Sequence, residues 1–352
     1  MKIYIYGPDD RQESKDLMLR IADSVSKKHE IVNVEDRLEC DLYKAEKADA
    51  LVLRLDCYDD ATWSTIGMAR AGNRPIIPFW GASWEYPDAY SSEPVKVYGF
   101  MRDTHKRNRK LIREEDDKRK WPSSSAEEIV EDIEVLEQKK GWREARIKKP
   151  GKETVNLDLP VYITGDSRQW WDHLAYYLIE SALNANGISS INPSRDLDNY
   201  TVKDFPDFIY INPKVDGAER CHENAGPKSS MILSRGIHIK NLMGARFEGG
   251  IAWFNSHPIL YLNSYTFPSR KSPQEKYEQG KNPGMHLKSI FDQNKELWNI
   301  EKNIVRTAGQ AAEEICKLRG VEYSEPGKVA VVRASLDVIK DVVRFSLKYS
   351  RT

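Results

Sequence analysis

The amino-acid sequence predicts an α/β protein made of two Rossmann/flavodoxin-like parallel-sheet domains in tandem, followed by a C-terminal helical extension. Strand-like and helix-like segments alternate along the chain, which is typical of a parallel sheet with functional loops at the carboxyl ends of its strands. An early strand pattern, Ile-Tyr-Ile-Tyr-Gly at 3–7, returns as Val-Tyr-Ile-Thr-Gly at 161–165. This recurrence indicates an internal duplication, and a length of 352 residues fits two domains with an extension.

Composition and charge narrow the class of protein. Hydrophobic residues make up 40% of the chain and charged residues 31%, which suits folded cores with a solvated surface. The 54 Lys and Arg residues balance the 54 Asp and Glu residues, so no excess positive charge favours a nucleic-acid polymer as partner. The chain opens directly on a strand pattern and has no long apolar run. We therefore expect no secretion signal and no membrane span, and we expect a cytoplasmic protein.

The four cysteines, Cys40, Cys57, Cys221 and Cys316, form no C-x-x-C pair and have no histidines at metal-ligand spacing. We expect reduced thiols and no metal site. The sequence also lacks both the G-x-G-x-x-G fingerprint and the P-loop pattern. No cofactor is expected.

The first half carries the patterns of four strands and three helices. Gly7-Pro8 ends the first strand, and Leu17, Ile21 and Val25 fall at helical spacing in the stretch that follows. The apolar run at 50–55, flanked by turns, is typical of a buried parallel strand. The predicted strands are 2–6, 30–34, 50–55 and 75–79, and the predicted helices are 12–28, 41–47 and 62–71.

Charged residues dominate from about 102 to 152, so we place the domain boundary there. A helix is predicted at 126–139, with Ser123, Ser124 or Ser125 as its N-cap. The predicted division is 1–102 for a first domain, 103–158 for a charged linker with a helix, 159–270 for a second domain and 271–352 for a helical extension.

In the second half, a helix at 169–185 is expected to end at Asn186-Gly187, where a left-handed residue would close it. Strands are predicted at 188–192 and 208–212, and a polar insertion follows the second of them and ends near Asn241. The segments 285–319 and 329–348 have helical periodicity. They predict an extension that packs on the two domains or bridges them.

The sharpest internal match follows the predicted central strands. Glycine, alanine and proline recur there at one spacing, as Gly67, Ala69 and Pro75 in the first half and as Gly250, Ala252 and Pro258 in the second. Asp49 and Asp207 each stand just before the predicted central strand of their half. These matches strengthen the prediction of a duplication.

Each half resembles the nucleoside 2-deoxyribosyltransferase family, whose motifs are K-I-Y-x-x-G-P, a strand that starts and ends near aspartates, and G-T-x-x-E-x-G-x-A followed by proline. The first half matches at Lys2, Ile3, Tyr4, Gly7, Pro8, Asp49, Asp56, Thr62, Gly67, Ala69 and Pro75, and the second at Tyr162, Gly165, Asp207, Gly244, Glu248, Gly250, Ala252 and Pro258. Where the family has its catalytic glutamate, the first half has Thr65 and the second keeps Glu248. The second half departs from the family at Ala245, where threonine is usual, and at Asn212-Pro213-Lys214, where an aspartate is expected.

The resemblance implies cleavage of an N-glycosidic bond through an oxocarbenium-like sugar, with Glu248 as the attacking or stabilising carboxylate. The leaving base needs a proton or a hydrogen bond, for which Tyr162, Asp207 and Asp216 are candidates. The implied catalytic residues are Glu248, Tyr162 and Asp207. The implied substrate-binding residues are Gly165, Asp216, Gly244, Gly250 and Arg246, with Asp56 and Tyr4 from the first half. Trp63, Trp170, Trp171 and Trp253 could stack on a base, but core packing is the preferred interpretation.

The expected partner is a small-molecule nucleoside or nucleotide. Family active sites are commonly completed by a neighbouring subunit, so the duplication implies an intramolecular pseudo-dimer with a degenerate first copy, and it also allows a homo-oligomer. Two alternatives stay open. One is a catalytically inactive nucleotide-binding or sensing module, which Thr65 and the missing aspartate favour. The other is a glycohydrolase acting on NAD or a related nucleotide.

Overall fold

A computed structural model describes residues 1–7, 12–33, 40–54, 59–79, 109–110, 112, 123, 125–165, 170–192, 217–235, 243–262, 285–327 and 336. The strands are β1 Lys2–Tyr6, β2 Glu30–Ile31, β3 Ala50–Arg54, β4 Ile76–Phe79, β5 Val161–Thr164, β6 Ser190–Ile191, β7 Met231–Arg235, β8 Ile259–Leu262 and β9 Ile304–Val305. The α-helices are α1 Gln12–Ser26, α2 Leu42–Lys47, α3 Asp60–Ala71, α4 Ala126–Gln138, α5 Trp170–Asn184, α6 Gly217–Ala225, α7 Met243–Phe254, α8 Met285–Trp298 and α9 Ala308–Arg319. No helix within these residues is both long and apolar enough to cross a membrane.

The described strands form two parallel sheets. Four strands follow the same order in both sheets, and the second sheet has a fifth strand. The first sheet runs β2-β1-β3-β4, and the second runs β6-β5-β7-β8-β9. Tyr4 on β1 pairs with Leu51 on β3, and Tyr162 on β5 pairs with Ile232 on β7, so the two tyrosines are structurally equivalent. The predicted α/β class with two parallel sheets is confirmed.

The central strand of the second sheet differs from the prediction. It is β7, Met231–Arg235, whereas the predicted strand at 208–212 lies outside the described residues. Polar residues before β7 gave the whole stretch the composition of an insertion and hid a short apolar run. The backbone N–H of Ser230 donates to Pro160 O at 3.0 Å, as that of Asp49 does to Lys2 O at 2.7 Å. The second-half counterpart of Asp49 is therefore Ser230 and not Asp207.

Helix α4, which lies in the predicted charged linker with a helix at 103–158, packs against the first unit. Its apolar side chains Ile129, Ile133 and Leu136 share one buried cluster with β1, β3 and α1. The predicted helix was right in place, and Ser125 caps it by accepting a hydrogen bond from Glu128 N at 3.2 Å. The acidic outer face of α4 made a packed helix look like a solvated one.

The C-terminal segment, predicted as a helical extension at 271–352, contains two helices, α8 and α9, and also adds a short strand to the second sheet. Strand β9 pairs with β8, and α9 packs on α5 as α4 packs on α1. Helix α8 contacts both units, because Ser289 Oγ accepts from Leu42 N at 3.3 Å while Ser289 O accepts from Trp253 Nε1 at 3.1 Å. Of the predicted helix at 329–348, the structure describes residue 336 alone.

The two units meet where α3 crosses α7. A Cβ added to Gly67 would lie 1.9 Å from Phe247 O, and one added to Gly250 would lie 1.9 Å from Ser64 O. Each glycine thus rests on the carbonyl of the residue three positions before the other glycine, as in a two-fold contact. Trp63 and Trp253 lie in the core cluster that both units share, in agreement with the preferred interpretation.

Replacing Gly250 with alanine should destabilise the fold, since its methyl group would meet helix backbone that cannot move aside. We expect Gly250→Ala to lower the free energy of unfolding by about 1 to 3 kcal/mol, measured by urea denaturation. Gly249→Ala is the control, because a Cβ there meets only Tyr261 Oη at 4.0 Å. Alanine at 249 should be neutral or stabilising by up to about 1 kcal/mol. Equal effects at both positions would contradict the glycine contact.

Candidate active site

Glu248 lies in the second turn of α7 with its side chain turned to the carboxyl end of β5. Its side chain is 4% exposed. The Tyr162 hydroxyl donates to Glu248 Oε1 at 2.6 Å, and the Thr164 hydroxyl donates to Oε2. Tyr162 and Thr164 face the same helix because alternate side chains of a strand point to one side of the sheet. Both oxygens of the buried carboxylate thus accept a hydrogen bond from a hydroxyl group.

Glu248 lies within α7, which begins five residues earlier at Met243. Within the helix, the turns before and after Glu248 restrict the movement of its side chain. Glu248 is therefore a fixed carboxylate and not a solvated cap.

The equivalent position in the first unit contains no carboxylate. Thr65 stands there, with its hydroxyl 3.4 Å from Cys40 Sγ and donating to Ala61 O at 2.8 Å. Burial raises the pKa of the Cys40 thiol to about 12, so this group is neutral at physiological pH. Tyr4 is fully buried, and its hydroxyl accepts from Asp41 N at 2.9 Å. The structure gives Tyr4 a packing role, which corrects its assignment to substrate binding.

A second difference between the units lies two residues after Tyr4 and Tyr162 on the first strand of each sheet. Tyr6 is the counterpart of Thr164, and its hydroxyl donates to Asp59 Oδ2 at 2.5 Å. Asp59 in turn caps α3 by accepting from Thr62 N at 2.7 Å. In the first unit, the strand hydroxyl therefore supports a helix cap.

Arg246 joins the candidate site to the first unit. Its side chain is 2% exposed, and its Nε lies 3.1 Å from Oδ2 of Asp60 in the first turn of α3. Burial raises the pKa of Tyr261 to about 12, and the positive charge of Arg246 acts against that rise. Its guanidinium is enclosed at the contact between the units, where it pairs with Asp60. The assignment of Arg246 to substrate binding stays a prediction.

The structure brings together only part of the predicted site. Gly165 follows Thr164 directly and has a φ of 149°, a conformation that favours glycine. Gly244 lies in the first turn of α7, among the backbone N–H groups that a helix leaves without internal partners. Gly250 lies in mid-helix against Ser64, so its assignment to substrate binding is wrong. Asp56, Asp207 and Asp216 lie outside the described residues.

Sequence reasoning missed Thr164 as part of the site. Its signal was present, because it stands two residues after Tyr162 on the same strand and directly before Gly165, the last residue of the recurring motif. Within the described residues, no group of three or more His, Cys, Asp or Glu side chains could hold a metal ion. Cys40, Cys221 and Cys316 are free thiols.

No protein-family model matches the chain, and no curated protein matches it. Among solved structures, the chain is similar to CalG4, the calicheamicin glycosyltransferase, at a TM-score of 0.24 and 12% identity over 96% of this chain and 94% of that one. It is also similar to the UDP-N-acetylglucosamine 2-epimerase of Rickettsia bellii, at a TM-score of 0.22 and 12% identity over 99% of this chain and 96% of that one. Both TM-scores are too low for the likeness to bear on fold or function.

Removing the charge of Asp60 should weaken the contact between the units, because Arg246 stays buried beside a neutral amide. We expect Asp60→Asn to lower the free energy of unfolding by roughly 2 to 4 kcal/mol, measured by urea denaturation. Glu223→Gln serves as the control, since Glu223 pairs with Lys228 on the surface and both side chains are largely exposed. That change should stay within about 0.5 kcal/mol. A similarly small effect at Asp60 would show that the pair contributes little to the contact.

Proposed function

We propose that the chain is a nucleoside or nucleotide N-glycosidic enzyme in which Glu248 is the nucleophile. In this proposal it is a 2-deoxyribosyltransferase or a nucleoside 5′-monophosphate N-glycosidase. The observation that carries the proposal is the buried Glu248 carboxylate at the carboxyl edge of the second sheet, with the Tyr162 hydroxyl 2.6 Å from Oε1. Ligands of open α/β sheets bind at this edge. The motif around Glu248, with its resemblance to the nucleoside 2-deoxyribosyltransferase family, adds support.

In the proposed reaction, a Glu248 oxygen attacks the anomeric carbon while the bond from that carbon to the base nitrogen breaks. The bonding electron pair passes to the base, which takes up a proton as it leaves. Water or a second base then attacks the same carbon, and Glu248 departs as a free carboxylate. Both half-reactions use one carboxylate in its ionised form, which the hydroxyl donors on β5 favour.

Tyr162 is proposed to hold Glu248 and not to protonate the base. Its hydroxyl hydrogen is directed to Glu248 Oε1, which leaves it stabilising the negative charge of the nucleophile. Asp207 and Asp216 remain the proposed proton donors or base-binding groups. Gly165 and Gly244 remain proposed contacts for the sugar or its 5′-phosphate.

The first unit is proposed to act as the inactive partner of an intramolecular pseudo-dimer. Thr65 and Cys40 provide no carboxylate for the chemistry. Asp60 pairs with Arg246 two residues before Glu248, so the first unit helps to fix the helix that carries the nucleophile. The chain would then need both copies for activity although only one performs the reaction.

The test is release of free base from nucleosides, deoxynucleosides and their 5′-monophosphates. We expect Glu248→Gln to lower the rate by at least about a thousandfold, because an amide can neither attack the sugar nor carry the negative charge. Glu180→Gln is the matched control in the same unit. Glu180 is buried and accepts from Asn192 Nδ2 at 3.1 Å. Its variant should keep most of the activity.

Activity that survives in Glu248→Gln would remove Glu248 from the reaction. Silence of the wild type across the whole panel, combined with binding of one of these compounds, would point to the nucleotide-binding module instead.

A further inference from the structure

We propose that Thr164 is a positioning residue for Glu248 and that its hydroxyl fixes the plane of the carboxylate for attack on the sugar. This inference rests on the proposed function of Glu248. Thr164 is absent from the motifs that point to the family, and it is identified by its place in the structure.

The last side-chain torsion of a glutamate sets the plane of its carboxylate, and this torsion takes a broad range of values. A single hydrogen bond at Oε1 therefore leaves the carboxylate plane poorly defined. Here Tyr162 binds Oε1 and Thr164 binds Oε2, and both donors belong to one short strand. Two anchors on a rigid strand fix the plane.

The two units differ at the strand position that Thr164 occupies. At the position of Thr164, the first unit has Tyr6, whose longer side chain donates to Asp59, the N-cap residue of α3. The length of this strand residue therefore decides which turn of the following helix receives the hydrogen bond. The unit that has the glutamate also has the short hydroxyl that reaches it. The unit that has lost the glutamate has a long hydroxyl that supports a helix cap.

The Thr164 hydroxyl also affects the charge of Glu248. Thr164 is buried, and a hydroxyl that donates to a buried carboxylate stabilises its ionised form. Replacing it with valine keeps the volume but removes the donor. The carboxylate then takes up a proton at higher pH and rotates more freely. Both effects reduce the fraction of enzyme that is ready to attack, and neither requires a change in substrate binding.

The experiment compares Thr164→Val and Thr164→Ser with the wild type, with base release measured against pH. We expect valine to lower kcat about 10- to 100-fold, the factor that corresponds to one lost hydrogen bond to a charged group, while KM changes little. The acid limb of the pH–rate profile should move to higher pH. Serine, which keeps the hydroxyl, should restore most of both. Tyr6→Phe removes the hydroxyl at the matching position of the first unit and should leave kcat unchanged.

Wild-type kcat in Thr164→Val, or a loss that serine does not restore, would overturn the inference. If the wild type releases no base at all, the proposed function fails separately, and Thr164 is then tested without activity. The carboxylate infrared band of Glu248, identified by subtracting the Glu248→Gln spectrum, is followed against pH. Its midpoint should rise by about one pH unit in Thr164→Val and return in Thr164→Ser. An unchanged midpoint would overturn the positioning role.

Discussion

The rest of the structure depends on the close crossing of α3 and α7. Gly67 and Gly250 let the two helix backbones touch, and any side chain at either position would separate them. The crossing places Asp60 on α3 beside Arg246 on α7, and it buries both helices between the two sheets. Because α3 holds α7 in place, the Glu248 side chain faces β5 with little freedom to move. Rigid support of this kind is what a nucleophilic carboxylate requires.

The two units have the same order of strands, but equivalent positions have different roles in them. A buried carboxylate is costly unless donors surround it, so position 248 needs Tyr162 and Thr164. At the matching position of the first unit, a threonine beside a neutral thiol avoids that cost and packs in the core. The first unit still reaches the site through Asp60, which is a reason for the chain to retain both copies.

Repetition made much of this arrangement readable from the sequence, and the features without a repeat signal were the ones missed. The recurring strand motif and the shared glycine, alanine and proline spacing identified the duplication, Tyr162 and Glu248. Strand β7 was missed because polar residues precede a short apolar run. Strand β9 was missed because its two residues lie within a segment whose periodicity predicted helix throughout. The Arg246–Asp60 pair joins residues far apart in the chain, and no local pattern shows such a contact. Thr164 is functional only through the turn of α7 that it meets.

The proposed reaction depends on a covalent bond between Glu248 and the sugar. The most direct measurement is mass spectrometry of the chain after incubation with a nucleoside that carries fluorine next to the anomeric carbon, which slows breakdown of a glycosyl-enzyme intermediate. We expect a mass increase of one fluorosugar per chain, located by peptide mapping on Glu248 and absent in Glu248→Gln. A label on another residue, or base release without any label on Glu248, would contradict it.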